Sequence, residues 1–325
     1  MISLHNWRAL NKPDFGFMNL FSEMIESVER KERNAIPDLR DGDLFFVASD
    51  YSGEHDSAEY QSLSFLLADW QQCGAWEATR RGLRGKYLAD GRRMSFKTLR
   101  DKRKMEALGF FLSAANTVVG LSVSILIDKR IDSLFRESGQ IDLSEPGLEE
   151  FSHWKEKSFE KMLRVVHLVS FFLAGLSRAG QDVLWITDED EIAANDDRLR
   201  QLTKLFGNVS GHYLSHNMGH FRCGTTKCDD RSRQLEDLAS IPDLVAGALS
   251  EVLVTSNEQG IMPSSSLFVF GPRNVQGKTA EIMNWFSTDL EPLKRLVYVI
   301  EPVENSSKLS LKRVRFHGSN DSDWA

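Results

Sequence analysis

Cysteine is scarce in this sequence, and its distribution limits the class of protein to which the chain can belong. The 325 residues include three cysteines, an odd number that is widely scattered. This pattern argues against a disulfide framework and favours a reducing compartment. The first residues, MISLHNWRALNKPDF, also lack the apolar core of a secretory signal. We therefore expect a cytoplasmic protein.

Long hydrophobic runs and an excess of positive charge are also missing. No apolar run approaches the roughly 18 to 20 residues of a membrane span, so we expect no membrane partner. The net charge of −7 gives no overall attraction to nucleic acid, and any such binding must depend on a local patch. The hydrophobic content of 41% is nevertheless ample for a large core.

Strand and helix patterns alternate along the chain, which is typical of an α/β fold with a parallel layer. Strands are predicted at 44–50, 62–67, 121–127 and 183–187, with a short one at 92–96. Helices are predicted at 15–34, 97–119, 153–179 and 196–206, the last ending at Gly207, and the chain from there to 230 reads as irregular. The fold class predicted is a mixed sheet flanked by helices.

A final long helix is predicted to begin at Pro242, because proline suits a first helical position and apolar residues then recur along one face. Asp243 lies off that face, beside only Ala246 and Gly247. We therefore expect an unshielded carboxylate at the start of this helix.

The chain is divided by these patterns into three parts. Residues 1–40 form a helical extension, 41–255 the main domain, and 256–325 a small α/β appendage that begins with a linker-like stretch. The basic residues Lys312, Arg313 and Arg315 of its last strand are candidates for contacting a partner or nucleic acid.

Three predicted strands end in an aspartate, namely Asp50, Asp128 and Asp188. If these strands are parallel, their carboxyl ends share one edge of the sheet, and Asp243 would supply a fourth carboxylate. Clustered carboxylates repel one another unless a cation neutralises them, and oxygen ligands favour Mg²⁺ or Mn²⁺. The alternative is that these residues only form turns.

Short motifs resemble those of a bacterial domain-of-unknown-function-3800-like family in the ribonuclease H-like superfamily. FVASDYSG at 46–53 is similar to its first-strand motif "D-E-S-G", and PDLVAGA at 242–248 is similar to its last-helix motif "A-D-L-I-A-G-A". The resemblance covers about residues 42–255. It implies a ribonuclease H-like fold and identifies Asp50 and Asp243 as metal ligands.

The resemblance is incomplete at one position of the first motif. Tyr51 replaces the glutamate, so a second ligand beside Asp50 is missing. Asp128 and Asp188, which follow strands similar to the middle and later strands of the family, are both candidates to complete the site. Glu106, on the helix before the middle strand, is a further candidate by analogy with ribonuclease H-like enzymes.

Positive charge is concentrated between residues 80 and 104. This basic block contains only two acids, Asp90 and Asp101, among the following cations: Arg80, Arg81, Arg84, Lys86, Arg92, Arg93, Lys97, Arg100, Lys102, Arg103 and Lys104. Phosphate contacts supply most non-specific affinity for nucleic acid, so the block is a candidate backbone-binding surface. Lys97 and Arg100 are the candidates for contacting substrate phosphate. A solvated helix face is the alternative.

Two further patterns carry less weight. His212, His216 and His220, with Cys223 and Cys228, suggest zinc, but their spacing does not fit a zinc motif. The stretch 271–279 imitates a phosphate-binding loop but has five residues between its glycines instead of four.

The leading hypothesis is therefore a nuclease that hydrolyses phosphodiester bonds in DNA or RNA by a two-metal mechanism. Asp50, Asp128, Asp188 and Asp243 would hold Mg²⁺ or Mn²⁺. The rival hypothesis is a non-catalytic nucleic-acid-binding or interaction module on the same fold, and Tyr51 favours it. Protein partners cannot be inferred from the sequence.

Overall fold

The fold is an α/β architecture built on a single mixed sheet. The computed structural model describes residues 5–136, 142–143, 148–259, 266–270, 275–288, 292–306 and 308–318. The strands are β1 (Leu44–Ser52), β2 (Tyr60–Asp69), β3 (Gly120–Asp128), β4 (Asp182–Thr187), β5 (Phe221–Thr225), β6 (Leu267–Phe270), β7 (Leu293–Pro302) and β8 (Leu309–Gly318). The helices are α1 (Phe17–Lys31), α2 (Gly74–Tyr87), α3 (Lys102–Ala115), α4 (Glu156–Leu176), α5 (Asp196–Tyr213), α6 (Gln234–Glu258) and α7 (Gly277–Phe286).

The described strands form one eight-stranded sheet in the order β5-β4-β1-β2-β3-β7-β8-β6. Strand β1 pairs with β4 in parallel and with β2 antiparallel, and β2 pairs with β3 antiparallel. Strands β1, β3 and β4 therefore run in the same direction. As the sequence predicted, their carboxyl ends lie along one edge of the sheet.

Helices cover both faces of the sheet. On one face, α1, α4 and α5 pack on the odd-numbered residues of β1, such as Val47. On the other face, α2, α3, α6 and α7 pack on even-numbered residues such as Phe46 and Ala48. Side chains alternate along a strand, so each strand contributes to two separate cores.

Several predicted boundaries were wrong. Residues 92–96 form no strand; the chain runs irregularly into a 3-10 turn at Phe96–Thr98. Helix α3 begins only at Lys102, because the side chain of Asp101 accepts hydrogen bonds from the amides of Arg103 and Lys104 and caps the helix. Helix α5 continues through Gly207, and the stretch expected to be irregular contains β5.

Helix α6 departs most from its prediction. It begins at Gln234, eight residues before Pro242, and the proline lies inside the helix. Among the described residues, α6 is the one helix whose length and composition would allow it to cross a membrane, with a mean hydropathy of 1.5 over 18 residues. However, 72% of that window is buried inside the protein, because the helix lies across the middle of the sheet.

The C-terminal segment joins the main sheet by strand pairing. Strand β7 pairs in parallel with β3 along its length, from Gly120 beside Leu293 to Ile127 beside Ile300. Three basic residues of β8 are engaged within the chain: Lys312 contacts Glu301 at 2.6 Å, and Arg313 and Arg315 contact Glu32. The linker-like stretch is partly helical to Glu258, and residues 260–265 lie outside the described residues.

Part of the basic block joins two helices. The carboxylate of Asp237 in α6 is 1% exposed and accepts hydrogen bonds from Arg80 at 3.0 Å and from Arg84 at 2.5 and 2.6 Å. Arg80 is itself 2% exposed. These arginines are therefore structural and cannot belong to a phosphate-binding surface.

Replacing Asp237 with alanine should destabilise the fold by about 3–5 kcal/mol, because it leaves a buried guanidinium without its partner. A matched control is Asp197→Ala, which removes an exposed i,i+3 pair with Arg200 and should cost at most about 1 kcal/mol. Urea unfolding of both variants measures the difference. Equal losses of stability in the two variants would contradict the structural role of Asp237.

Candidate functional site

Three of the predicted aspartates converge on the face of the sheet covered by α6. In the register of β1 and β4, Ser49 lies beside Thr187. The residues that follow this pair are Asp50, still within β1, and Asp188, the first residue after β4. The charge of Asp188 acts on Asp50, so the two carboxylates are near each other. The carboxylate of Asp243 in α6 is close enough to both to affect their electrostatics.

The carboxylate of Asp243 is held by the backbone of a distant segment. Its Oδ2 accepts a hydrogen bond of 2.6 Å from the amide of Phe96, and the hydroxyl of Ser95 also donates to it. The expectation of an unshielded carboxylate was therefore wrong. Asp243 is half-buried, and the irregular segment before α3 covers it.

Phe96 occupies the space that Gly247 leaves open. A methyl group added at Gly247 would lie 2.3 Å from Cγ of the phenylalanine ring. The ring also contacts Lys278 of α7, whose ammonium lies 3.6 Å from the ring centroid and donates to the carbonyl of Phe96 at 3.0 Å. Gly247 on α6 and Lys278 on α7 thus hold Phe96 in place, and with it the backbone amide that donates to Asp243.

Burial and the charge of neighbouring acids dominate the electrostatics of Asp50 and Asp243. Burial raises the pKa of the Asp50 carboxyl well above its usual range, and the neighbouring Asp243 and Asp188 raise it further, whereas Arg93 opposes the shift. Burial also raises the pKa of Asp243, and the Phe96 amide and Arg93 oppose that shift. The cluster therefore favours any group that supplies positive charge.

Arg93 is the cation common to all three acids. Its Nη2 lies 3.6 Å from Oδ1 of Asp188, and its charge acts on Asp50 and Asp243. Its Nε is buried and has no hydrogen-bond partner among the described residues. Arg93 thus balances part of the negative charge without a fixed hydrogen-bonding arrangement.

The donor set is chemically suited to a hard divalent cation, since it consists of carboxylate oxygens in a partly dry site with excess negative charge. The observed arrangement is not that of a ready-made site. Among the described residues, no group of three or more His, Cys, Asp or Glu side chains is close enough together to hold a metal ion. Binding Mg²⁺ or Mn²⁺ would therefore require rearrangement of these carboxylates.

Asp128 does not join this cluster. Asp50 lies opposite Ser64 and Ser64 opposite Ser124, so Asp128 lies four residues, or about 13 Å, further along the strand direction. Its carboxylate is instead bound by Arg130, with Nη2–Oδ2 at 2.6 Å and a backbone contact at 2.8 Å. The prediction failed because β2 lies between the two strands and their ends are staggered.

Tyr51 faces the opposite side of the sheet from Asp50. Its hydroxyl contacts Ser49 at 2.7 Å and Thr187 at 2.9 Å, and the ammonium of Lys161 lies 4.8 Å from its ring centroid. A glutamate at position 51 of a regular strand would also point away from Asp50. The tyrosine at position 51 therefore does not remove a potential metal ligand from the face of the sheet on which Asp50 lies.

A cavity of about 600 Å³ lies on the Tyr51 side of the sheet, next to α4. Charged residues of both signs line it, and its buried Lys161 is already paired with Glu54 and Asp190. This cavity does not contain the three clustered aspartates, and its mixed charge suits no single class of ligand. The acid cluster is therefore the better candidate site.

The predicted phosphate contacts lie near the acids but are not their closest cations. Lys97 and Arg100 are exposed, and the charge of Arg100 acts on Lys278, which in turn lies near Asp243. Glu106 is 56% exposed and pairs with Lys102 at 3.9 Å on the surface of α3, so it is not part of the cluster. Elsewhere in the block, Arg92 and Lys104 are engaged in contacts within the chain.

Sequence reasoning missed Arg93, Phe96 and Lys278 as parts of the site. Arg93 was only one cation of a block, and Phe96 was placed in a strand. Lys278 belongs to the stretch that imitates a phosphate-binding loop, of which residues 271–274 lie outside the described residues. The one available signal was the small residue Gly247 beside Asp243, which leaves room for a large ring.

The histidines and cysteines considered for zinc do not form a metal group among the described residues. His216 instead contacts Arg8 at 2.7 Å and Ser177 at 3.0 Å. The weak zinc prediction is thus replaced by a structural role for His216 in holding the N-terminal segment.

Comparison with known proteins adds no assignment: no protein-family model matches the chain, and no curated protein matches it significantly. The resemblance to ribonuclease H-like proteins therefore stays a prediction from short motifs.

Replacing Gly247 with alanine should destabilise the fold by about 1–3 kcal/mol, because the added methyl group forces the Phe96 ring to move. Gly207→Ala is the matched control in α5, where nothing lies within 4 Å and helix propensity should stabilise by about 0.5–1 kcal/mol. Urea unfolding gives both values. A neutral Gly247→Ala would show that the ring is not confined there.

The raised pKa of Asp50 predicts a specific pH dependence in metal-free buffer. The folded protein holds this proton more tightly than the unfolded chain does, so the free energy of unfolding contributed by Asp50 falls as pH rises from about 4 through the raised folded-state pKa. In Asp50→Asn the side chain cannot ionise, so this loss of stability with rising pH does not occur. The variant should therefore be more stable than the wild type at pH 7, and the difference should shrink towards pH 4.

Thermal denaturation in the presence of a chelator, across this pH range, measures that difference. A variant that is less stable than the wild type at pH 7 would contradict the repulsion inferred at the acid cluster.

Proposed function

We propose that this protein is a divalent-metal-dependent nuclease that hydrolyses phosphodiester bonds, and that Asp50, Asp188 and Asp243 hold its Mg²⁺ or Mn²⁺. The observation that carries the proposal is the convergence of these three carboxylates from β1, β4 and α6 at the carboxyl edge of a sheet. Open α/β sheets place their sites at this edge. The motifs that resemble the ribonuclease H-like family imply that two of these residues, Asp50 and Asp243, are metal ligands.

Divalent ions at such a site would lower the pKa of water and stabilise negative charge on phosphate oxygens. Within the chain, the amide of Phe96 orients the carboxylate of Asp243. Arg93, Lys278 and Arg100 supply positive charge beside the acids, where a phosphodiester backbone would lie. These groups bind and orient substrate, and the acids balance the charge of the bound ions.

The nucleic acid would approach over a surface narrower than the whole basic block. Arg80, Arg84, Arg92 and Lys104 are engaged within the chain, and Lys102 and Arg103 are paired with Glu106 and Asp90. Lys97 and Arg100, which follow the Phe96 amide that binds Asp243, are exposed. Because these cations form a local patch on a protein of net negative charge, we expect the binding of nucleic acid to weaken steeply with added salt.

Cleavage of labelled single-stranded and duplex DNA and RNA in Mn²⁺ tests the proposal. Asp50→Asn and Asp243→Asn should each reduce cleavage at least about 100-fold, since charge balance at the reacting phosphate is lost. Asp128→Asn is the matched control, because Asp128 lies on the same sheet edge outside the cluster, and it should retain wild-type activity.

Undiminished cleavage by both site variants would reject the assignment. Loss of cleavage in the Asp128 variant alone would mean that the catalytic site lies at Asp128 and not at the acid cluster. Binding of nucleic acid without cleavage by the wild type, in either metal, would favour the non-catalytic module instead.

A further inference from the structure

The charge balance at the acid cluster differs from that of other buried carboxylates in this protein. Asp50, Asp188 and Asp243 share one nearby guanidinium, that of Arg93, and they lie on three different elements. Burial strengthens their mutual repulsion because fewer water molecules screen it. Among the described residues, Arg93 and, beside Asp243, Lys278 are the cations that act on these acids, so three ionised carboxylates would exceed the nearby positive charge when no metal ion is bound.

Structural arginine–aspartate pairs in the same chain are much tighter. Arg84 binds Asp237 with two hydrogen bonds of 2.5 and 2.6 Å, and Arg130 binds Asp128 at 2.6 Å with a further contact at 3.1 Å. Arg93 instead stays 3.6 Å from Asp188, beyond hydrogen-bonding distance, and its buried Nε has no partner among the described residues. Arg93 therefore lies beside the acids without a direct hydrogen bond to Asp188.

The backbone around Arg93 also permits movement of its side chain. Residues 91–95 have no regular secondary structure, and the 3-10 turn begins only at Phe96. The Arg93 side chain as a whole is 31% exposed although its Nε is buried, so part of the side chain already reaches solvent. By contrast, Phe96 is fixed by Gly247 and Lys278, so the amide that binds Asp243 can remain in place while Arg93 moves.

We propose that Arg93 is a resident counter-ion of the acid cluster, which a divalent cation displaces when it binds to Asp50, Asp188 and Asp243. A guanidinium and a divalent ion among the same carboxylates would repel each other, so binding of the ion requires Arg93 to move away. The inference rests on the proposed metal site. It also explains why the three carboxylates are near one another without being arranged to hold an ion.

Arg93 makes metal binding weaker than the carboxylates alone would make it. The site would therefore stay free of metal at low metal concentration, and the concentration at which it fills would depend on Arg93. The released guanidinium would also be free to contact a substrate phosphate, since arginine binds phosphate oxygens with two parallel hydrogen bonds. Metal binding and the presentation of a phosphate contact would then be coupled.

Isothermal titration of the metal-free protein with Mn²⁺ tests this role without using activity. Arg93→Met removes the competing charge and should bind Mn²⁺ on the order of tenfold more tightly than the wild type, the effect of one charge acting over several ångströms. Arg93→Lys keeps a cation there and should bind within about threefold of the wild type.

Arg130→Met is the matched control, because it removes an arginine from a carboxylate on the same sheet edge outside the cluster. It should leave the Mn²⁺ affinity unchanged. Circular dichroism and thermal melting in a chelator establish that each variant is folded. Equal or weaker Mn²⁺ binding by Arg93→Met, or no binding by any variant, would overturn the inference.

The test separates this inference from the proposed nuclease. Tighter Mn²⁺ binding by Arg93→Met, together with no cleavage of any nucleic acid by the wild type, would uphold the counter-ion and reject the nuclease. Cleavage that depends on Asp243, together with equal Mn²⁺ affinity in the wild type and Arg93→Met, would retain the nuclease and reject the counter-ion.

Discussion

Repulsion among three partly desolvated carboxylates is the constraint on which the candidate site depends. The register of β1 and β4 brings Asp50 and Asp188 together, and α6 adds Asp243. Such a grouping lowers the stability of the fold, and proteins retain such costs chiefly where function requires them. The surrounding features, the Phe96 amide and Arg93, both offset the same negative charge.

The sequence predicted what depends on local pattern and missed what depends on long-range packing. Alternating apolar residues identified β1, β3 and β4, and aspartates at strand ends correctly indicated the sheet edge. The inclusion of Asp128 failed because stagger across β2 cannot be inferred from single strands. The start of α6 was misplaced because burial across the sheet stabilises a helix that continues through Pro242.

The basic block shows why a count of charges is a weak guide to binding. Arg80 and Arg84 are buried against Asp237 and join α2 to α6, while Lys97 and Arg100 are exposed. All four look alike in the sequence. Their roles differ only because a partner carboxylate lies 153 or more residues away on α6, a separation at which no local pattern acts.

The pairing of β3 with β7 makes the C-terminal segment part of the sheet. All nine residues of β3 are buried, and β7 covers its backbone from Gly120 to Ile127. A chain ending at the expected boundary near residue 255 would expose this apolar strand as an open edge, with its amide and carbonyl groups free to pair with another molecule. It would also lack Lys278. Such a fragment would tend to aggregate, and a stable unit should therefore extend at least through β7.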